Sequence, residues 1–335
     1  MAIELQQLVE TQKQIEALFL RPVRLQTPHV VPPYLKKWYA RFAALPTSEQ
    51  PQIYLWGLKN FEGVAVSGPE YPRLDVWLAG RPPDGFPQFL RGLFPGVPLR
   101  LIATSGFRFL QGFGIGSNIA LKQPTGVGMI GLFLNAGGNE YALTCAHVLD
   151  KKPASQIVDS GIARIGKLTF RIQISDAPLV DPTAPDPQAP NQVDCALTQL
   201  DAAGANNALP NGLGNVNGIA VVAQGANVTI ANAHKTVAAT VISTHADLGI
   251  PYHNGIVYFD DLIATTGEDS IEPGDSGSLV VDNGNHAAGL VMAICSDAQT
   301  IDNPSQDLGP IVIACDMQKI LNNLSPLVGS TLSLA

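Results

Sequence analysis

An α+β N-terminal region followed by a mostly β body is the fold class this sequence predicts. Three observations lead there. The chain has 335 residues, more than one hydrophobic core usually supports, so a large domain with a smaller companion is expected. Only 14% of residues are charged, while 32 Gly and 26 Pro are scattered throughout, a composition of short strands joined by turns. The apolar pattern also changes along the chain, from helical spacing near the start to short bounded runs after Gly126.

The elements follow in order. Leu5, Leu8, Ile15, Leu18 and Phe19 recur at helical spacing with Glu4, Glu10, Lys13 and Glu16 between them, predicting an amphipathic helix over 3–20 that ends before Pro22. A second helix is expected over 33–44, opened by a Pro pair and carrying Leu35, Trp38, Tyr39 and Phe42 on one face. Ile53 to Leu58 and Leu74 to Leu78 have the look of strands, Phe86 to Phe94 of a helix, and Val97 to Ala103 of a further strand. This order describes a small α+β domain over 1–115. The run Gly112 to Gly116 lacks the glycine spacing and following helix of a dinucleotide loop and is read as the interdomain connection.

From 116 to 335 a second domain is expected. Apolar runs bounded by turn residues fall at 129–134, 141–145, 163–174, 195–200, 220–223, 228–230, 237–243, 256–259, 278–281, 288–294 and 311–314, enough strands for two small barrels. The segment 177–192, with five prolines, is an exposed loop. A helix over 316–324 closes the fold.

The formal net charge of −8, without clustered Lys or Arg, argues against nucleic acid and leaves a protein or peptide as partner. No apolar stretch approaches the roughly 20 residues of a membrane span, and the first residues lack the basic and apolar segments of a secretory signal. The expectation is a soluble cytoplasmic protein with no membrane partner. Cys145, Cys195, Cys295 and Cys315 lack close metal-type spacing and are expected as free, buried thiols.

Three segments carry chemistry: Thr-Cys-Ala-His ending at His147, Val-Asp-Cys-Ala-Leu around Asp194, and Gly-Asp-Ser-Gly-Ser around Ser276. A serine hydroxyl is a poor nucleophile at neutral pH and needs an imidazole to take its proton and a carboxylate to orient that imidazole. Alone, Asp-Ser-Gly is an ordinary turn and a lone apolar-context histidine an ordinary core residue. Here, however, Ser276 leads directly into the apolar run 279–281, and Gly274 permits a backbone that aims the amides of Gly274 and Ser276 at one point, as an oxyanion hole requires. The other five histidines have no such setting.

Together these segments resemble the three signature segments of the chymotrypsin-like (trypsin-like) serine proteases, in the same order. The 47 residues from His147 to Asp194, and the longer span from there to Ser276, leave room for His147 and Asp194 in the first barrel and Ser276 in the second. The likeness covers about 117–325. Ser-Asn-Ile-Ala at 117–120 and Gly126 to Leu149, after a small α+β segment, resemble intracellular bacterial relatives of the plant narrow-leaf-type serine proteases. The resemblance implies a double β-barrel of two six-stranded barrels with the site in the cleft between them, peptide-bond hydrolysis through an acyl-enzyme, no cofactor and no metal. It makes His147, Asp194 and Ser276 catalytic, the amides of Gly274 and Ser276 the oxyanion hole, and Ser270, Met292, Ala293 and Ile294 the substrate pocket.

Three departures stand out. Val148 occupies the family's usual cysteine position after the histidine. Secreted members pair a newly released amino terminus with the Asp before the serine, and no activation sequence is evident near Val127 to Ile130, so either another group satisfies Asp275 or the enzyme is latent. Met292 and Ile294 replace the usual Ser and Gly of the substrate strand, and Ser270 stands where the family places the pocket floor, which favours a small or apolar cleavage residue, with Glu268, Asp269 and Glu272 nearby able to attract positive charge. The expected function is therefore an intracellular serine endopeptidase, with the N-terminal region a candidate docking point for a regulatory protein. The alternatives are a catalytically idle or latent protease fold that binds peptides or supports assembly, and an esterase using the same triad.

Overall fold

The computed structural model describes residues 5–19, 50–68, 72–109, 119–121, 127–149, 157–159, 164–175, 191–231, 235–252, 255–268, 271–302 and 308–335. The expected helix over 33–44, the Gly112 to Gly116 run, most of the proline-rich loop and Ser270 lie outside them.

Helix α1 (Leu5–Phe19) buries Leu8, Ile15, Leu18 and Phe19 and leaves Leu5 exposed. Helix α2 (Gln50–Asn60) replaces the strand expected at Ile53 to Leu58. A six-residue apolar run does not distinguish the two states, and packing decided it. Gly57 lies where a Cβ would come within 2.6 Å of the Phe19 ring and 2.8 Å of the Phe86 ring, so α2 presses against aromatic side chains of two other helices.

Strand β1 (Phe61–Ser67), which the apolar pattern did not announce, pairs antiparallel with β2 (Arg73–Ala79). Helix α3 (Phe86–Leu93) then crosses to β3 (Leu99–Thr104), parallel to β2. Alternation along β2 separates two environments. Leu74, Val76 and Leu78 join Phe86, Phe89 and Leu90 under the helices, whereas Trp77 and Asp75 point the other way and Trp77 enters the core of the main body. Asp75 is fully buried and held by Arg100 and Arg73.

A short strand, β4 (Arg108–Phe109), follows. The next sheet comprises β5 (Ile119–Leu121), β6 (Val127–Gly128), β7 (Leu132–Ala136), β8 (Asn139–Thr144), β9 (Ile157–Asp159), β10 (Arg164–Arg171) and β11 (Ala196–Leu200). Its ladder runs β7-β8-β11-β10-β9-β5-β6. A small pair, β12 (Ala208–Leu209) and β13 (Gly214–Asn215), and β14 (Gly218–Ile219) lead to the second body.

That body contains β15 (Asn227–Ala231), β16 (Thr236–Tyr252), β17 (Gly255–Thr266), β18 (Leu279–Asp282), β19 (His286–Cys295) and β21 (Ile311–Asp316), whereas β20 (Ala298–Thr300) pairs antiparallel with β3 of the N-terminal sheet. The order β15-β18-β19-β21-β17-β16 returns to β15 through the β15–β16 pairing, closing a six-stranded barrel. Closure removes the unpaired edges that an open sheet would expose. The long hairpin of β16 and β17 extends past the barrel, and its outer arm pairs with β1, Gly63 opposite Leu248 and Ala65 opposite Ala246. The N-terminal sheet is thus hydrogen-bonded to the second body.

Helix α4 (Met317–Val328) starts at Asp316, whose carboxylate accepts from the Lys319 amide at 2.9 Å, and stops at Gly329 with φ 76°. The last strand, β22 (Ser333–Leu334), returns to β7 in the first sheet. The protein is mostly β, built on two β bodies.

Candidate active site

Three elements deliver the three side chains. Strand β8 ends at Thr144, and a 3-10 turn over Ala146–Leu149 carries His147. Strand β11 pairs with β8, Ala196 opposite Thr144, so the residues just before β11 run beside those just after β8 and Asp194 meets His147. Ser276 sits in the loop before β18. That loop is tied to the first body: the Met129 amide donates to the Ser276 carbonyl at 2.6 Å, and the Thr144 hydroxyl donates to the Met129 carbonyl at 2.7 Å.

The geometry at the junction is tight. The two oxygens of Asp194 bind His147 at different points, one accepting from its backbone amide at 3.0 Å and the other in a short hydrogen bond to Nδ1. His147 Nε2 lies 2.7 Å from Ser276 Oγ. With Nδ1 donating to the carboxylate, Nε2 is left as the acceptor for the serine proton. Ser276 Oγ also reaches the Met292 carbonyl at 3.4 Å. His147, Asp194 and Ser276 are each 0% exposed.

The loop 272–278 is ordered by its own hydrogen bonds. Asp275 accepts from the Glu272 amide at 2.9 Å, its amide donates to the Glu272 carbonyl, and Ser278 donates to the Asp275 carbonyl. Gly277 donates to the Val291 carbonyl on β19. Gly274 and Gly277 take φ of 110° and 93°, conformations that side-chain-bearing residues rarely adopt. Among the described residues, the amides of Gly274 and Ser276 donate to no protein acceptor, while those of Asp275, Gly277 and Ser278 all do.

Lys235 carries no signal of a role in its local sequence. Its Nζ lies 2.7 Å from the Asp275 carboxylate, which is itself buried. No local pattern announces this pair, because the partners are brought together by the barrel.

Around Asp194 lie three buried thiols. Cys145 donates to the Val291 carbonyl at 3.1 Å, the Asp194 amide donates to Cys315 Sγ at 3.2 Å, and Cys315 contacts Met292 Sδ at 3.3 Å. Burial, reinforced by neighbouring negative charge, pushes the thiols of Cys145, Cys195 and Cys315 upward, so they stay protonated. All four cysteines are free and buried.

Cys145, His147 and Asp194 place donor atoms within 4.8 Å of one another, yet each is engaged: the thiol with Val291, the ring with Asp194 and Ser276. A second group, Glu16, Asp247 and Asp260, gathers carboxylates. There Asp247 accepts from the Asp261 amide and from Gln12 on α1.

Of the expected pocket residues, Met292, Ala293 and Ile294 lie buried on β19. Ala293 and Ile294 face Ile313 and Val312 of β21 on one side and Phe109 and Arg108 of β4 on the other.

No family model and no curated protein matches the sequence. Solved structures do match. One is a glutamic-acid-specific serine protease, at 13% identity over 65% of this chain and 97% of that one, with a TM-score of 0.44. Another is an alpha-lytic protease homolog, at 15% identity over 58% and 89%, TM-score 0.38. A third is the MamO protease domain from Magnetospirillum magneticum, at 14% identity over 62% and 94%, TM-score 0.35. No helix among the described residues is long and apolar enough to cross a membrane.

Proposed function

We propose that this protein is a serine endopeptidase that cleaves peptide bonds in protein substrates through Ser276, His147 and Asp194. The observation that carries the reading is the continuous chain from the Asp194 carboxylate through both ring nitrogens of His147 to Ser276 Oγ at 2.7 Å. In this reading Ser276 attacks the substrate carbonyl while His147 takes its proton and later gives it to the leaving amine. Asp194 holds the imidazole in the productive tautomer and stabilises the imidazolium.

The amides of Gly274 and Ser276, uncommitted to protein acceptors, receive the developing oxyanion. The Lys235–Asp275 pair supports the same loop. It supplies the positive charge that secreted relatives obtain from a new amino terminus, so the oxyanion loop is built without cleavage of the chain. Four free, buried thiols fit work in a reducing compartment, and we place the activity inside the cell.

The test is labelling of the full-length protein with a fluorophosphonate probe, beside a broad peptide-cleavage profile. The wild type should label and cleave, and Ser276→Ala should do neither, with turnover reduced by up to about a million-fold. A wild-type protein that never labels while binding peptides as well as Ser276→Ala does would instead make it a peptide-binding module. Full burial of the nucleophile favours a latent form of the enzyme over permanent idleness, because the triad itself is assembled.

A further inference from the structure

Strand β19 has two edges. One is covered by β21 from Gly289 to Cys295. The other is covered by β18 only as far as Leu290, opposite Leu279. Past that point the Ser276 loop takes over, Gly277 donating to the Val291 carbonyl and Val291 to the Ser278 carbonyl, both at 2.8 Å. Then comes Met292, whose carbonyl is met by Ser276 Oγ. From Ala293 onward this edge would be open, immediately beside the nucleophile.

It is instead filled by the chain's own β4, antiparallel, with Arg108 opposite Ile294 and Phe109 opposite Ala293. The strand therefore runs toward Met292 and Ser276, and Phe109 lies one ladder step from the residue that touches the serine hydroxyl. An extended peptide adding to an exposed edge by backbone hydrogen bonds is a general mode of recognition, and β4 has that geometry.

The approach to β4 is anchored. Phe107 is 1% exposed and packs edge-on against Trp77 with ring centroids 5.3 Å apart. The Thr104 hydroxyl is hydrogen-bonded to the Glu62 carboxylate, and it accepts from the Gly106 amide at 3.3 Å. Ser105 donates its amide to the Asp297 carbonyl and places Oγ 3.8 Å from Cys295 Sγ.

We propose that β4 is a built-in occupant of the Ala293–Ile294 edge, the strand that the resemblance already assigns to substrate, and that a substrate must displace it before reaching Ser276. The proposal rests on the protease reading above and adds how that site is controlled. A tethered strand competes at a high effective concentration, so an untethered peptide gains access only when β4 detaches. This also accounts for a fully assembled triad that is buried.

The experiment uses the full chain in two directions. Ser105→Cys places a second thiol beside Cys295, within reach of a disulfide, and Ser105→Ala is its control. Phe109→Pro removes an amide from β4 and weakens the pairing. Probe labelling of Ser276 should be slower by about tenfold or more in oxidised than in reduced Ser105→Cys, unchanged by reductant in Ser105→Ala, and faster than wild type in Phe109→Pro. A fluorescent peptide spanning residues 104–111 should bind Phe109→Pro in a Ser276→Ala background more tightly than it binds Ser276→Ala alone.

Equal labelling of the locked and reduced forms, with equal peptide binding in the two backgrounds, would overturn the occupancy while leaving the protease intact. Absence of labelling in every form would sink the protease reading, and peptide binding alone would then decide whether β4 fills the edge.

Discussion

Lys235 Nζ stands 2.7 Å from the Asp275 carboxylate, one residue before the candidate nucleophile. The carboxylate is 5% exposed and the lysine 24%, so the pair is only partly screened by water. Replacing Lys235 by Met should therefore loosen the Gly274–Ser276 loop at a cost on the order of 2 kcal/mol. The expected result is a fall in kcat/KM of about tenfold or more, mostly in kcat, because the loop is proposed to hold the oxyanion. Lys235→Arg should recover much of the loss. Steady-state kinetics on a peptide substrate checks this, and an unchanged kcat in Lys235→Met would remove the lysine from the machinery.

Gly277 gives a sharper constraint on the same loop. Its φ is 93°, and a Cβ there would run into the Met129 carbonyl and come within 2.9 Å of the Thr144 hydroxyl. Neither obstacle is the free end of a flexible side chain: Met129 is tied by backbone to Ser276, and Thr144 donates to Met129. Gly277→Ala should pull Ser276 away from His147 and abolish probe labelling, with a stability loss of about 1–3 kcal/mol from the strained backbone. Labelling at the wild-type rate would show that the loop has room the geometry denies.

Much of this was legible in the residues, and the boundary is physical. His147, Asp194 and Ser276 each lie in a short segment whose chemistry and flanking apolar run are local, so their convergence could be anticipated. Strands such as Leu279–Asp282 and Ile311–Asp316 were equally visible because a continuous apolar run between turn residues is a local property. Lys235 on Asp275 and β4 on β19 were not, since each depends on contacts between distant segments that leave no periodic trace. The strand assigned to Ile53–Leu58 failed for the same reason: a short apolar run adopts whichever state its neighbours need, and here Phe19 and Phe86 needed a helix.

Asp75 tests the pairing of β2 with β3 within the N-terminal sheet. Its carboxylate is 0% exposed and lies opposite Arg100 on β3, accepting from Arg100 Nε at 2.8 Å and from Arg73 Nε at 3.2 Å. Removing one member of a buried pair leaves the other desolvated charge uncompensated. Asp75→Ala should cost about 3 kcal/mol in urea unfolding, whereas Arg73→Ala, which removes the more exposed partner, should cost less. Equal and small effects for both would mean that water, and not Arg100, satisfies the carboxylate.

The hairpin of β16 and β17 carries a pH-dependent pair on its outer arm. His245 Nδ1 lies 3.0 Å from Asp261 Oδ1, and Lys319 on α4 reaches the Asp261 carbonyl at 3.0 Å. The hydrogen bond to Asp261 raises His245 above its ordinary 6.5, opposed by partial burial and by Lys319 and aided by Asp247. The same hydrogen bond lowers Asp261 from 3.8 to about 2. The histidine's contribution is therefore complete below pH 6.5 and lost as pH rises through its folded value. The aspartate's is complete above 3.8 and lost as pH falls toward 2. Both act together between those limits. Because the groups are 46% and 52% exposed, the pair contributes no more than about 1 kcal/mol. His245→Gln should lower the melting temperature by about 1–3 °C at pH 5.5 and by less at pH 9. A difference that grew toward pH 9 would reverse the sign and place the stabilisation on the neutral ring.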